Sequence, residues 1–363
     1  MEFTIIRKAL VDALETVSSV VSTRPTLPIL GNMLLDVRKK DVVLTATDLE
    51  VGIVLRVDAT VKREGKLTVP AKKFLDVARE MPGDDLAIEA DTASRMLLKS
   101  GKVDIKLLGL APDEFPQLPE VKQEAQVKVS SAVLTAMIGK TLYAVSGDET
   151  RYVQNGALMI WEKNELRLVT TDGRRLAFIR HALPGTGGKG EAIVPTKALQ
   201  ELGRLFGAQD EEVTIVLGEG YAKFTAGGGT LTTRLIDGKF PDYEQVIPKA
   251  QDKKATLDTA ELLAAVRRSA LIASDRSNAV RLDLKKGVLV LSAASHELGE
   301  AREEIAAQYD GEGLSVAYNA KFLMDVLKNI ESKEVYFELS TPLAPGVFKP
   351  VGDFYLGKYK YAL

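Results

Sequence analysis

The chain has no cysteine among its 363 residues, so disulfides, thiolate metal sites and cysteine nucleophiles are excluded. Imidazole is nearly as scarce. His181 and His296 are the whole supply, which rules out a multi-histidine metal site. No apolar run approaches the roughly 18 residues needed to cross a bilayer. Met1-Glu2-Phe3-Thr4 also lacks the basic-then-apolar pattern of a secretion signal. Absence of cysteine fits a reducing compartment, and the expectation is a cytoplasmic chain with no membrane contact. The formal charge is −2, so there is no bulk basic excess to favour nucleic acid. A cleft can nevertheless be basic inside while the rest of the surface is acidic.

Catalytic patterns are missing as well. Neither G-x-S-x-G nor H-E-x-x-H occurs. The glycine-rich stretch Gly185-Thr186-Gly187-Gly188-Lys189-Gly190 fails the spacing of a phosphate loop. Leu183 stands in place of its first glycine and Gly190 in place of its hydroxyl residue. A flexible hairpin loop is expected there. Asp48 and Asp172 could be read as a carboxylate pair, but they hold equivalent places in different repeats and read better as turn residues. No enzyme activity, metal or cofactor is expected.

What the chain does contain is a long internal repeat. Val69-Pro70-Ala71-Lys72-Lys73-Phe74 matches Val194-Pro195-Thr196-Lys197-Ala198-Leu199, and Tyr318-Asn319-Ala320-Lys321-Phe322-Leu323 is a third copy. The lysines are spaced by 197 − 72 = 125 and 321 − 197 = 124 residues. Thr47-Asp48, Thr171-Asp172 and Ala294-Ser295 repeat with nearly the same period, as do Phe115-Pro116 and Phe240-Pro241. Three units of domain size fill the chain, with boundaries expected at 1–122, 123–250 and 251–363. Each reads as an amphipathic helix (9–21, 132–145, 260–273), strands, a second helix (71–81, 196–206, 320–330) and more strands. The expected class is therefore α+β, with two helices per domain packed on antiparallel sheets.

The second helices show two faces. Phe74, Val77 and Met81, Leu199, Leu202 and Phe206, and Leu323, Val326 and Ile330 make a core-facing stripe. Lys72 and Arg79, Lys197 and Arg204, and Lys321 and Lys328 each lie seven apart, two turns along one face. Two readings stay open. In one the cations are a solvated face, since Asp76, Glu201 and Asp325 stand three residues before the second cation of each pair. In the other the three helices form a basic stripe that meets phosphates without reading bases. Arg7, Lys8, Arg24, Lys140, Arg267 and Arg268, on or near the first helices, would extend such a stripe.

Two further stretches carry signal. Val169-Thr170-Thr171-Asp172-Gly173-Arg174-Arg175-Leu176-Ala177 reads as strand, Asp-Gly turn and strand. Asp237-Gly238-Lys239-Phe240-Pro241-Asp242-Tyr243 is either packing at a domain joint or one wall of an apolar groove.

Together with Arg24-Pro25-Thr26-Leu27-Pro28-Ile29-Leu30-Gly31-Asn32, Thr47-Asp48-Leu49-Glu50, Arg151-Tyr152 and Asn155-Gly156, these stretches resemble the bacterial DNA polymerase III beta subunits, the beta sliding clamps. The resemblance covers the full length. It implies a DNA clamp fold of three similar domains, assembling head-to-tail as a homodimer into a closed ring. Duplex DNA would be threaded through the ring without sequence preference. The partners implied are the DNA polymerase catalytic subunit, the clamp loader, and mismatch-repair and other clamp-motif proteins. The resemblance places a partner-peptide groove at Gln154, Thr171, Gly173, Arg174, Arg175, Leu176, Pro241, Val246, Phe322, Leu343 and Pro345. Tyr359 and Tyr361 stand where the family carries two methionines, and Gln154 stands where an apolar residue is common. It supports DNA contact by Arg24, Tyr152 and Lys197, to which the repeat adds Lys72, Arg79, Arg204, Lys321 and Lys328. It places the dimer interface at Ile105 and Leu107 against Leu271 and Ile272. An interaction scaffold that does not bind DNA is the alternative.

Overall fold

The computed structural model describes residues 1–22, 27–183, 185, 188–207, 210–248, 251–274 and 278–352, and the backbone of 359–362. Arg24 therefore lies outside the described residues, as do the side chains of Tyr359 and Tyr361. Seven α-helices occur among them: α1 (Arg7–Ser18), α2 (Ala71–Glu80), α3 (Ser131–Gly139), α4 (Thr196–Phe206), α5 (Tyr243–Val246), α6 (Thr259–Ala270) and α7 (Ala320–Lys328). Each repeat contributes a pair of longer helices, and every strand pair is antiparallel, which is the expected α+β class.

The chain forms two compact units, Met1–Thr135 with Lys197–Leu235, and Ala136–Thr196 with Ile236–Leu363. The first unit holds a five-stranded sheet in the order Thr60–Arg63, Glu2–Ile6, Asp85–Ala90, Arg95–Ser100, Val103–Leu108. It also holds an eight-stranded sheet: Ala125–Ser130, Glu212–Gly218, Tyr221–Ala226, Gly229–Arg234, Val51–Asp58, Asp41–Thr47, Asn32–Val37, Gly65–Pro70. Its first four strands come from the second repeat and its last four from the first. They join where Thr232 stands opposite Gly52.

The second unit is built alike. Its eight-stranded sheet runs Gly190–Pro195, Gly156–Glu162, Glu165–Thr171, Leu176–Ala182, Tyr359–Ala362, Val347–Pro350, Glu334–Leu339, Lys253–Asp258. Here the third repeat joins the second, with Ala362 opposite Leu176. A four-stranded sheet follows the order Gly299–Ala306, Val288–Ser295, Ala279–Lys285, Leu314–Asn319.

The apolar stripes fold inward as their period requires. Phe74, Leu199, Leu202, Leu323 and Val326 are all buried, although Val77 is only half so. Two expectations need correction. The helix expected over 132–145 stops at Gly139. Lys140 is buried with its ammonium 2.9 Å from Glu331, and the Thr141 hydroxyl donates back to the Met137 carbonyl at 2.9 Å, so the chain tightens into a 3-10 turn at Leu142–Ala144. Of the expected hairpin loop over 185–190, residues 186 and 187 lie outside the described residues, but the strands on either side of it do not pair as a hairpin. Gly190–Pro195 pairs with Gly156–Glu162 and not with the strand Leu176–Ala182 that precedes it.

Candidate partner groove and nucleic-acid interface

The turn between Glu165–Thr171 and Leu176–Ala182 is built twice in this chain. Thr171 Oγ1 donates to the Arg175 carbonyl at 2.8 Å and accepts from the Gly173 amide at 3.1 Å. Asp172 Oδ1 accepts from the amides of Arg174 and Arg175 at 2.9 and 3.0 Å. In the first repeat Thr47 and Asp48 make the same four bonds within the turn to Val51, at 2.7 to 3.0 Å. The third residue of each turn is left-handed, with φ of 78° at Leu49 and 82° at Gly173. A side chain tolerates that conformation in the first repeat. In the second a Cβ on Gly173 would lie 2.7 Å from Arg151 Nη1, so this guanidinium, which donates to the Asp172 carbonyl at 2.9 Å, would have to move.

The two arginines after the glycine do different things. Arg174 is exposed, and its side chain makes no hydrogen bond or ion pair among the described residues. Arg175 is only 9% exposed and is fully engaged. Its donors reach Asp172 at 3.1 Å, Asp325 on α7 at 2.6 Å and the Tyr143 carbonyl at 2.7 Å. Its plane covers the Phe322 ring at 4.6 Å. Arg175 thus ties the turn to α7 and shapes the surface, and it offers no free cation to a ligand.

Behind this turn lies an apolar floor. Leu158, Ile160, Val169, Leu176, Ile193, Phe240, Tyr243 and Val347 form one buried cluster, with Val153, Phe178, Ile236 and Ile247 packed against it. Phe178 and Tyr243 stack at 5.8 Å. Burial pushes the Tyr243 phenol up, and the Arg167 guanidinium beside it pulls the other way. The stretch 237–243 therefore divides between its two readings. Phe240 and Tyr243 are core, while Pro241 is half-buried at the surface. Nearby, Val246 is 49% and Leu343 98% exposed. The Pro345 carbonyl accepts from Gln251 at 2.8 Å. The Gln154 carboxamide sits beside Gly173, and its Oε1 is buried with no hydrogen-bond partner. Tyr359 and Tyr361 lie on a strand whose backbone pairs with Leu176–Ala182 on one side and Val347–Pro350 on the other.

The first repeat treats the corresponding place differently. There a cavity of about 500 Å³ is lined by Leu34, Val54, Phe115 and Leu118 but also by Asp36, Arg38 and Lys66. Asp36 pairs with Arg38 at 2.8 Å and with Lys66 at 3.6 Å. Where the second repeat has Ile160 in its apolar cluster, the first has Asp36.

The helix cations fall into two groups. Lys72, Lys321 and Lys328 are exposed and have no side-chain partner among the described residues. The others are partly engaged. Arg79 reaches Glu15 on α1 at 2.7 Å, Arg204 pairs with Glu201 at 2.7 Å, and Lys197 pairs with Asp48 and also meets the Val20 carbonyl. The expected pairing within each second helix thus forms only in α4. Asp76 turns to Lys73 and Asp325 to Arg175. Two of the proposed additions are structural. Arg7 donates to the Gly83 and Arg79 carbonyls at 2.8 and 3.2 Å, closing the end of α2, and Lys140 is buried. Lys8 and Arg267 are exposed, Arg268 pairs with Glu303, and Tyr152 is 59% exposed.

Of the four residues expected at a dimer interface, two lie on an open sheet edge and two follow a helix. Ile105 and Leu107 are half-buried on Val103–Leu108, the last strand of its sheet. Leu271 is 75% exposed just after α6, and Ile272 is half-buried. Sequence reasoning missed Leu108, 72% exposed on the same edge. It also missed Arg151, Tyr143 and Asp325 as the partners of the turn. Arg151 was legible as a motif residue, but nothing in the sequence ties it to a glycine 22 positions later (173 − 151).

Comparison with known proteins agrees with this architecture. Residues 1–119, 128–242 and 244–360 match the N-terminal, central and C-terminal domains of the DNA polymerase III beta subunit. A beta sliding clamp of Pseudomonas aeruginosa is 38% identical over 94% of this chain and 93% of its own. One of Staphylococcus aureus is 32% identical over 97% of this chain and 96% of its own. The crystal structure of a Pseudomonas aeruginosa sliding clamp bound to griselimycin superposes with a TM-score of 0.96 at 35% identity, covering 100% of this chain and 98% of that one. The Bacillus subtilis DNA polymerase sliding clamp gives 0.94 at 28%, with coverage of 100% and 98%. With all three domains matched in order and about a third of its residues shared with such relatives, the chain belongs to the DNA polymerase III beta subunit family, the beta sliding clamps.

Proposed function

We propose that the chain is a non-enzymatic processivity clamp. Two copies, each with domains over 1–122, 123–250 and 251–363, join head to tail around duplex DNA in the cytoplasm and tether the replicative DNA polymerase to it. The observation that carries this reading is the way the repeats complete one another's sheets. The last strand of the second repeat adds to a strand of the first, and the last strand of the third adds to a strand of the second. Among the edge strands of the described sheets, Val103–Leu108 corresponds to the added strands and Gly299–Ala306 to the receiving ones, and neither has the partner that its counterparts have. A second copy satisfies both at once, and such heterologous contacts close into a ring. Exposed Leu108 and Leu271, with Ile105, Leu107 and Ile272, support an interface there.

The free ammonium groups of Lys72, Lys321 and Lys328, with Lys197, Arg79, Arg204, Tyr152 and Arg24, suit contacts to phosphate that carry no sequence information. Weak contacts of this kind let a threaded protein slide. The apolar floor under Leu176, bordered by Pro241, Val246, Phe322, Leu343, Pro345, Tyr359 and Tyr361, suits a short peptide with large apolar anchors. Gln154 and the turn residues Thr171, Gly173, Arg174 and Arg175 form its polar border. The polymerase, the clamp loader and mismatch-repair proteins would share this one groove in turn.

The test is topological. The protein is loaded onto closed circular DNA, washed at high salt, and the circle is then cut. A clamp stays on the circle and leaves the linear product. Equal release from both forms would refute encirclement and favour a scaffold that binds partners alone.

A further inference from the structure

We propose that Asp48 is a positioning residue for the nucleic-acid face: it holds the Lys197 ammonium at the joint between the first and second repeats and so limits that cation to a single, weak phosphate contact. This rests on the DNA-facing reading above and adds to it the group that sets how much one of its cations contributes.

The lysines that open the three second helices are equivalent by repeat, yet they are not equally free. Lys72 and Lys321 are exposed, while Lys197 is half-buried. Its ammonium donates to Asp48 Oδ2 and, at 3.2 Å, to the Val20 carbonyl just past the end of α1. The carbonyl end of a helix carries partial negative charge and favours a cation. An ammonium has three donors, so two are spent inside the protein and one is left for a phosphate oxygen. The Lys197 side chain keeps 43% of its surface exposed, against 18% for Asp48, so the pair is open on the lysine side. One helical turn on, Glu201 is buried and accepts from the Ser19 hydroxyl. The start of α4 is thus stitched to the end of α1 at two positions, and Lys197 has little freedom to swing.

The cause lies in one position of the turn. Asp48 Oδ1 accepts from the Glu50 and Val51 amides, as Asp172 Oδ1 does from those of Arg174 and Arg175. The second oxygen is what differs. Asp172 Oδ2 is taken by the Arg175 side chain at 3.1 Å, and Lys321, the counterpart of Lys197 one repeat on, stays free. The first repeat has Val51 where the second has Arg175. Asp48 Oδ2 therefore meets no cation within its own turn and takes Lys197 instead. A carboxylate in that place competes with phosphate for the ammonium donors. It also cancels part of the charge that displaces counterions from a duplex. A cation seated in this way can pass from one phosphate to the next without being drawn out of place, as sliding requires.

The test is a salt titration of the full chain on a fluorescein-labelled linear duplex, read by anisotropy. Asp48→Asn keeps an oxygen for the two turn amides and removes the anion. Asp48→Ser is the second variant, because Ser295 holds this place in the third repeat and its Oγ accepts from the Glu297 amide at 3.3 Å. Both should raise affinity at low salt by about fivefold and steepen the slope of log affinity against log salt by up to about 0.9, one phosphate engaged in full. In a Lys197→Ala background the same changes should leave the slope where it was. A purely structural role for Asp48 would move the urea midpoint and not this slope. If the unsubstituted chain binds the duplex but neither variant changes the slope, or both raise affinity equally without Lys197, the positioning role is wrong while the DNA-facing reading stands. If the unsubstituted chain shows no salt-dependent binding at all, both fall together.

Discussion

Replacing Gly173 by alanine probes the turn that distinguishes the second repeat. Holding a residue with a Cβ in the left-handed region costs about 1.5 kcal/mol. The new methyl also meets Arg151 Nη1 at 2.7 Å. Arg151 must swing away, giving up its bond to the Asp172 carbonyl, which at a half-exposed side chain is worth about 1 kcal/mol. Reduced freedom of the unfolded chain returns about 0.5 kcal/mol. The net expectation is a loss of about 2 kcal/mol, read from urea unfolding followed by circular dichroism. In an Arg151→Ala background the same change should cost only about 1 kcal/mol, because the clash and the bond are already gone. Peptide docking, followed by fluorescence anisotropy with a labelled peptide carrying leucine anchors, should weaken along with the turn. An equal cost in both backgrounds would refute the claim that Arg151 makes glycine necessary here.

The free and engaged helix cations should separate in a salt titration. Each phosphate left without its cation removes about 0.9 from the slope of log affinity against log salt, so Lys72→Ala, Lys321→Ala and Lys328→Ala should each flatten it more than Arg79→Ala, whose guanidinium is held by Glu15. Equal slopes for all four would argue against that division. The neighbouring arginines should part company in stability. Arg175→Ala strands the carboxylates of Asp172 and Asp325 and should cost about 3 kcal/mol, whereas Arg174→Ala should stay within about 0.5 kcal/mol. Matching urea midpoints for the two variants would contradict the tethering role of Arg175.

Much of the site was legible because the chain repeats itself. Comparing Thr47-Asp48-Leu49-Glu50 with Thr171-Asp172-Gly173-Arg174 separates what the turn needs from what the second repeat adds. The Thr and Asp side chains make the same bonds in both, and a local pattern of this kind depends only on near neighbours. What the turn meets was not legible. Arg175 reads from the sequence as a groove residue, and nothing local shows that Asp325, 150 residues on, and Phe322 reach it from α7. Asp325 looked like a partner for Lys328 for the same reason. Spacing along a helix marks which ion pairs can form, and the competing partner comes from elsewhere in the chain.

The sequence by itself determined the three repeats, the helix stripes and the lack of thiols and of a histidine cluster, which depend on composition and period, while its motifs carried the resemblance to the family. The tertiary structure decided which repeat completes which sheet. That pairing brings strands from different repeats side by side, and it cannot be read from either strand alone. It also leaves Val103–Leu108 and Gly299–Ala306 at the open edges of their sheets, where backbone groups stay unpaired.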